Sequence, residues 1–292
     1  RGCATALVTP FRSDGAIDEP TLRRLVDHQI DNGVKLLVPC GTTGETATTT
    51  EAEDLRIIRI VIEQARGRAR IIAGTGSNST SSAVQYTRSA VEVGADAVLV
   101  VAPYYNKPTQ SGLLAHFRAV AASAGEVPVI LYNVPGRTGC NLLPATTLEL
   151  ARTVPNIVGI KEACGDLMQI QAILRDRPAG FRVFSGDDAL TFAILALGGD
   201  GVVSVASNEA PRQMSELCRL CFAGEWEPAR RLHYQLLPLM EANFIETSPG
   251  PVKSALAMMG LCPEHLRLPL VPPAPATKDR LRKVLTELGL LA

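Results

Sequence analysis

A lysine closes an apolar run in the segment NIVGIKEACG, residues 156–165. Strand side chains alternate between faces, so residues 157–161 would put Ile157, Gly159 and Lys161 on one face and Val158 and Ile160 on the other. Lys161 then has apolar neighbours. An ammonium held out of water is disfavoured, which moves such a lysine toward the neutral amine, the form that attacks a carbonyl carbon to give a Schiff base. The competing reading is a strand-end lysine that reaches solvent or pairs with a carboxylate such as Glu162. Further polar groups follow other apolar runs. Gly41-Thr42-Thr43-Gly44-Glu45 combines backbone freedom with hydroxyls and N–H groups that can hold a carboxylate. Pro103-Tyr104-Tyr105-Asn106-Lys107-Pro108 and the stretch from Tyr132 to Gly139 add phenols and one arginine, Arg137.

Elements that could bring these groups together are visible in the pattern. Eight short apolar, β-branched runs are expected as strands: residues 3–9, 35–39, 70–74, 97–101, 129–133, 157–161, 182–185 and 201–205. Segments of helical period separate them, such as Leu22, Leu25, Val26 and Ile30, or Leu55, Ile58 and Ile62. Thr50 and Glu53 have the spacing of a capping box, and Pro144 is suited to open a helix, with Asn141 just upstream. Parallel strands covered on both faces lose polar alternation, so the pattern predicts an α/β fold, a closed (β/α)8 TIM barrel over residues 1–224. A doubly wound open sheet would need a phosphate fingerprint near the first strand, and the sequence has none there. Residues 225–244, 252–259 and 278–290 read as helices, giving a small C-terminal helical appendage over residues 225–292, with a Pro-rich link at 269–275. In a barrel of this kind the polar residues at the strand ends collect on one rim.

Composition narrows the class. Of 292 residues 46% are hydrophobic, enough for one large core, and 29 Lys+Arg balance 29 Asp+Glu, so no global field favours nucleic acid or an anionic membrane. The longest apolar stretches are too short to cross a bilayer, and no signal peptide precedes the first run; a soluble, cytosolic chain is expected. Seven cysteines scattered through apolar segments suit a reducing compartment. Cys218 and Cys221 share a helix face, but no second pair completes a zinc set, so no metal site is expected. The run at 74–79, GTGSNS, lacks a P-loop lysine and reads as a turn with a helix cap rather than a nucleotide cradle.

In order and spacing, GTTGE, PYYNKP, LYNVPGRTG, IVGIKEA and SGDD resemble the dihydrodipicolinate synthase family of the pyruvate-dependent class I aldolases and lyases, across residues 2–270. The resemblance implies a lyase joining pyruvate to L-aspartate-4-semialdehyde on the route to diaminopimelate and lysine, with no metal or organic cofactor. Under it, Lys161 forms the imine with pyruvate, and Tyr132, Thr42 and Tyr105 make a proton relay. Thr43 would hold the pyruvate carboxylate, Arg137 the carboxylate of the second substrate, and Gly186 and Val203 backbone-lined positions of the pocket. Tyr105 would reach into a neighbouring subunit, implying a tight homodimer, usually paired into a tetramer.

Two departures stand out. Where lysine-inhibited members carry His and Glu side chains for the effector, this chain has Glu51, Asp54 and Ser82, beside Asn78 and Tyr104, so weak lysine feedback is expected. Residues 248–253, SPGPVK, replace the family's usual NPIPVK. A sister aldolase acting on sugar-derived keto acids would keep Lys161 and Tyr132 but lack a use for Arg137 and Tyr105. A non-catalytic barrel would be expected to lose the lysine or the relay.

Overall fold

Eight strands pair in sequence order, each parallel to the next, and the last closes on the first. The computed structural model describes residues 1–291. The strands are β1 (Gly2–Ala6), β2 (Leu36–Val38), β3 (Arg70–Gly74), β4 (Ala97–Val101), β5 (Val129–Asn133), β6 (Ile157–Glu162), β7 (Arg182–Ser185) and β8 (Gly201–Ser204). Helices α1 (Glu19–Asp31), α2 (Glu51–Ala65), α3 (Thr80–Glu92), α4 (Gln110–Ser123), the short α5 (Pro135–Thr138), α6 (Pro144–Thr153), α7 (Leu167–Asp176), α8 (Thr191–Ala196) and α9 (Pro211–Phe222) follow the strands. This is the (β/α)8 barrel expected from the pattern.

Why the strands read as apolar on both sides is now plain. One face points into the barrel, where Ala4, Ala6, Val38, Ile72, Leu99 and Phe184 pack together. The other meets the helices, with Leu37, Ile71, Val98, Val100, Leu131 and Val183 in a larger cluster that also holds Leu22, Val26, Leu113 and Phe117. Removing both faces from water supplies the main driving force at about 25 cal/mol per Å² of apolar surface.

Local signals held where the expected partner was near in sequence. Thr50 and Glu53 form the reciprocal capping box of α2. Ser79 accepts from the Ser82 N–H at the start of α3, so the 74–79 run is a turn with a cap. Pro144 opens α6, but Leu143 is the cap residue, and Asn141 instead donates to Gln169 and accepts from Asn133. The first strand is shorter than residues 3–9: the Leu7 N–H still reaches Val38, but the Val8 N–H turns to the side chain of Asn208.

Beyond the barrel come α10 (Trp226–Ala242), α11 (Gly250–Met258) and α12 (Pro275–Glu287). Leu236, Leu239, Met240, Leu281 and Leu285 share one apolar cluster with Met214 and Leu217 of α9 and with Cys3 and Val202 of the barrel. Cys218 and Cys221 sit in that cluster as free thiols. Burial pushes them up to about 12 and about 11, respectively, the state of inert packing residues rather than of nucleophiles.

Two predictions follow from the packing. A Cβ on Gly74 would stand 2.1 Å from the Cys40 carbonyl oxygen, where the end of β3 passes the segment after β2. Gly74→Ala is therefore expected to cost at least about 1–3 kcal/mol, read as a lowered denaturant midpoint. The His116 ring is buried between α3 and α4, with Nδ1 3.0 Å from Thr80 Oγ1, and desolvation pulls it down to about 4. The folded chain then binds fewer protons than the unfolded chain between pH 6.5 and 4, so stability falls as pH drops through that window, by up to about 3 kcal/mol. Thermal unfolding at pH 7 and pH 5 should show a smaller difference in His116→Gln than in wild type.

Candidate active site

Lys161 faces the barrel interior because of how β6 pairs. Tyr132 of β5, Lys161 of β6 and Phe184 of β7 stand in register across the sheet, and parallel partners share a face. The expectation that Ile157, Gly159 and Lys161 share one face holds only from Gly159 onward. The β5–β6 register shifts between Val129 and Ile130, so one extra residue of β6 is absorbed there, and Ile157 packs outward against the helices while Val158 packs inward.

The Lys161 side chain is 6% exposed, and its Nζ lies 4.2 Å from the centroid of the Tyr132 ring. Among the described residues no carboxylate pairs with it. Glu162, the sequence neighbour that could have done so, points to the opposite face. There its carboxylate accepts from Asn133 Nδ2 at 3.0 Å, Gln169 Nε2 at 3.2 Å and the Cys164 N–H at 2.9 Å. Burial pushes the Glu162 carboxyl above its ordinary value, opposed by those hydrogen bonds. Lys161 is thus a buried amine whose main neighbour is an aromatic face.

Close approach around it depends on glycine. A Cβ on Gly186 would meet Lys161 Cε at 3.1 Å and Ala163 Cβ at 2.7 Å, so only the bare backbone fits beside the lysine stem. Gly76 is as tight against the Val101 backbone, 2.4 Å from its nitrogen. Gly76 and Val101, together with Ala6, Val38, Leu99 and Thr42, wall a chamber of about 40 Å³ over Lys161 and Tyr132, near one water molecule's share of liquid volume, about 30 Å³. Thr42, Thr46, Gly74, Gly76 and Val101 also line a wider cavity of about 470 Å³ toward the rim. The outline is a funnel with the amine at its foot.

Thr42 opens the 3₁₀ turn Thr42–Gly44 and borders both spaces, whereas Thr43 is buried behind it, 5% exposed. Arg137, on α5, lines the wider cavity, and its Nη2 donates to the Ser248 carbonyl at 3.3 Å. Val203 is buried in the barrel interior, in register with Ala4. Tyr104 borders the wider cavity. Tyr105 does not: it is 89% exposed, at a backbone φ of 73°, with its N–H bonded to Thr138. One chain therefore brings Lys161, Tyr132 and Thr42 together and places Arg137 at the mouth, while the exposed Tyr105 lines neither space. Among the described residues no three His, Cys, Asp or Glu side chains converge as a metal would require.

Ser248 and Pro249, from the stretch at 248–253 that departs from the family's usual sequence, border the wider cavity. Thr247 and Leu270, which were not singled out from sequence, close the same side from the C-terminal region. Lys253 is fully buried behind the Thr42 turn, paired with Glu45. Lys253 ends the 248–253 stretch noted in the sequence, but nothing there pointed to its burial or to Glu45 as its partner.

Comparison with known proteins finds relatives along almost the whole chain. The model of the dihydrodipicolinate synthetase family matches residues 1–288. A 4-hydroxy-tetrahydrodipicolinate synthase of Acidobacterium capsulatum is 55% identical over 291 residues, covering 99% of this chain and 96% of that protein. One from Nitratidesulfovibrio vulgaris is 51% identical over 291 residues, covering 100% and 99%. The crystal structure of dihydrodipicolinate synthase from Thermotoga maritima superposes with a TM-score of 0.98 at 46% identity, covering 100% of this chain and 99% of that one. A monomeric dihydrodipicolinate synthase variant gives the same TM-score and identity, covering 100% and 97%. Matched along its full length in sequence and in fold, the chain belongs to the dihydrodipicolinate synthetase family.

Proposed function

We propose that this chain is a 4-hydroxy-tetrahydrodipicolinate synthase, a lyase that condenses pyruvate with L-aspartate-4-semialdehyde at the entry to diaminopimelate and lysine synthesis. Its full-length relatives carry that name. The observation that carries the mechanism is the Lys161 amine, buried without a counter-charge and 4.2 Å from the Tyr132 ring centroid, at the foot of a funnel.

The Lys161 amine adds to the ketone carbon of pyruvate, and loss of water leaves an imine. Loss of a methyl proton gives the enamine, whose carbon attacks the aldehyde of the second substrate. The amino group of that substrate then attacks the imine carbon, closing the ring and freeing the lysine. Tyr132 and Thr42 border the chamber and are assigned the proton transfers, with Tyr105 as the outer member of the relay. Thr43 and the turn N–H groups hold the pyruvate carboxylate, Gly186 lets the lysine stem pass, and Val203 backs the inner wall. Arg137 at the mouth suits a carboxylate, since its planar fork can bond both oxygens. That arginine also favours a short carboxylate-bearing aldehyde over the hydroxylated chains taken by sister aldolases.

The exposed Tyr105 ring supports a homodimer in which a second copy supplies this phenol to the relay. Catalysis is assigned to the barrel, residues 1–224, with the helical region 225–292 building one wall of the cavity.

Incubation with pyruvate and borohydride should leave a pyruvate-derived adduct on Lys161, read by peptide mass spectrometry; no adduct in wild type removes the mechanism. Lys161→Ala should form no adduct and have no turnover. Tyr132→Phe should still bind pyruvate but turn over about 10²- to 10⁴-fold more slowly. Weak feedback by L-lysine is the second expectation. The Asp54 carboxylate accepts from Thr46 at 3.0 Å and Thr49 at 2.6 Å, and Glu51 from Gln85 at 2.8 Å, so both are engaged within the chain. Half-inhibition by lysine well below millimolar concentration would overturn it.

A further inference from the structure

Behind the Thr42 turn lies a second buried lysine with a different environment. Lys253, near the start of α11, and Glu45, the residue that closes the turn, both have side chains 0% exposed. Lys253 Nζ donates to Glu45 Oε1 at 2.6 Å, to the Thr9 carbonyl at 2.9 Å and to the His265 carbonyl. One ammonium thus grips the segment after β1, the Thr42 turn and the loop after α11. The other Glu45 oxygen accepts from the Arg267 N–H at 3.0 Å. The Arg267 guanidinium reaches the Gly15 carbonyl at 2.8 Å, the Thr48 carbonyl at 2.9 Å and Glu53. Both cations lie against the Phe11 ring, Lys253 Nζ at 4.5 Å and Arg267 Cζ at 4.4 Å from its centroid.

The backbone explains why the turn would need such a grip. Glu45 has a φ of 60°, a left-handed conformation that costs a non-glycine residue and persists only where surroundings hold it. Its N–H closes the turn on the Thr42 carbonyl at 3.1 Å. A shift of Glu45 would therefore move Thr42, the residue shared by the chamber and the wider cavity. A buried ion pair is weak evidence for stability, since apolar replacements of both partners are often neutral; its better-attested use is to fix one arrangement.

We infer that Lys253 and Glu45 form a positioning latch through which the C-terminal region sets the Thr42–Thr43 turn over Lys161. This rests on the proposed synthase reaction. The latch touches no substrate and acts through Thr42, so its loss lowers turnover at sites that still form the imine.

The test compares wild type, Glu45→Gln/Lys253→Met and Arg267→Lys, all as full chains. Each is measured for its unfolding midpoint, for borohydride-trapped pyruvate on Lys161, and for kcat and KM with the coupled synthase assay. The double variant removes both charges at once, avoiding a single stranded ion. Expected is a folded protein that traps pyruvate on Lys161, with kcat per trapped site at least tenfold below wild type and KM for pyruvate changed less than kcat. Arg267→Lys keeps a cation by Phe11 and the backbone N–H to Glu45 but loses the forked contacts that fasten Thr48, three residues beyond Glu45. It is expected to lose two- to fivefold in kcat per trapped site, with a midpoint lowered less than in the double variant. Normalising to trapped sites removes any loss of folded enzyme. Wild-type kcat per trapped site in both variants overturns the latch, as does wild-type kcat in Arg267→Lys if the double variant does not fold. Absence of a wild-type adduct instead counts against the synthase reading and leaves the two failures distinct.

Discussion

The register between β5 and β6 is the constraint on which the site depends. In the closed parallel sheet each strand is held in register with two neighbours, and a slip of one residue would turn every side chain to the other face. With Tyr132 opposite Lys161, the next pair outward is Asn133 opposite Glu162, on the face toward the helices. Asn133 bonds Glu162, and Gln169 bonds both Glu162 and Asn141, so the register is fastened behind the lysine and the tyrosine. The polar block lies outside the barrel wall and the amine inside it. That separation leaves Lys161 without a carboxylate although its chain neighbour is one.

Two lysines of this chain are buried, and they illustrate opposite solutions to the same cost. Lys253 meets the loss of water with a carboxylate, two carbonyls and an aromatic face. Burial holds its pKa below the ordinary lysine value, and Glu45 offsets only part of that. Lys161 has the aromatic face alone among these, together with an opening toward solvent through the funnel. A lysine whose nitrogen is fully engaged by partners is held in place, whereas one without such partners at the end of a passage is accessible to a carbonyl. Packing of the barrel makes both possible, because glycines at 74, 76 and 186 let backbones approach to distances no Cβ would permit.

Much of this was legible in the chain. The eight strands fell within a few residues of their expected ends, since apolar runs covered on both faces leave an unambiguous mark. The capping box at Thr50 was legible because its partner is three residues away. Less local features were not. The extra residue in β6 is invisible in its own sequence, because the shift exists only in the pairing with β5. Tyr105 has the residue type of a relay member, yet its ring is on the outside of this chain.

By itself the sequence determined the class of fold, the family to which the chain belongs, and the residue types offered at the strand ends, because periodicity, capping and ordered motifs are all written over short spans. Which of its lysines stands unpaired and which is locked was decided by tertiary structure alone. Glu45 and Lys253 are 208 positions apart, and nothing local to either names the other. Closing the barrel brings the C-terminal helices against the Thr42 turn and turns Glu162 away from Lys161. Burial then sets the cost of each charge according to the partners found there.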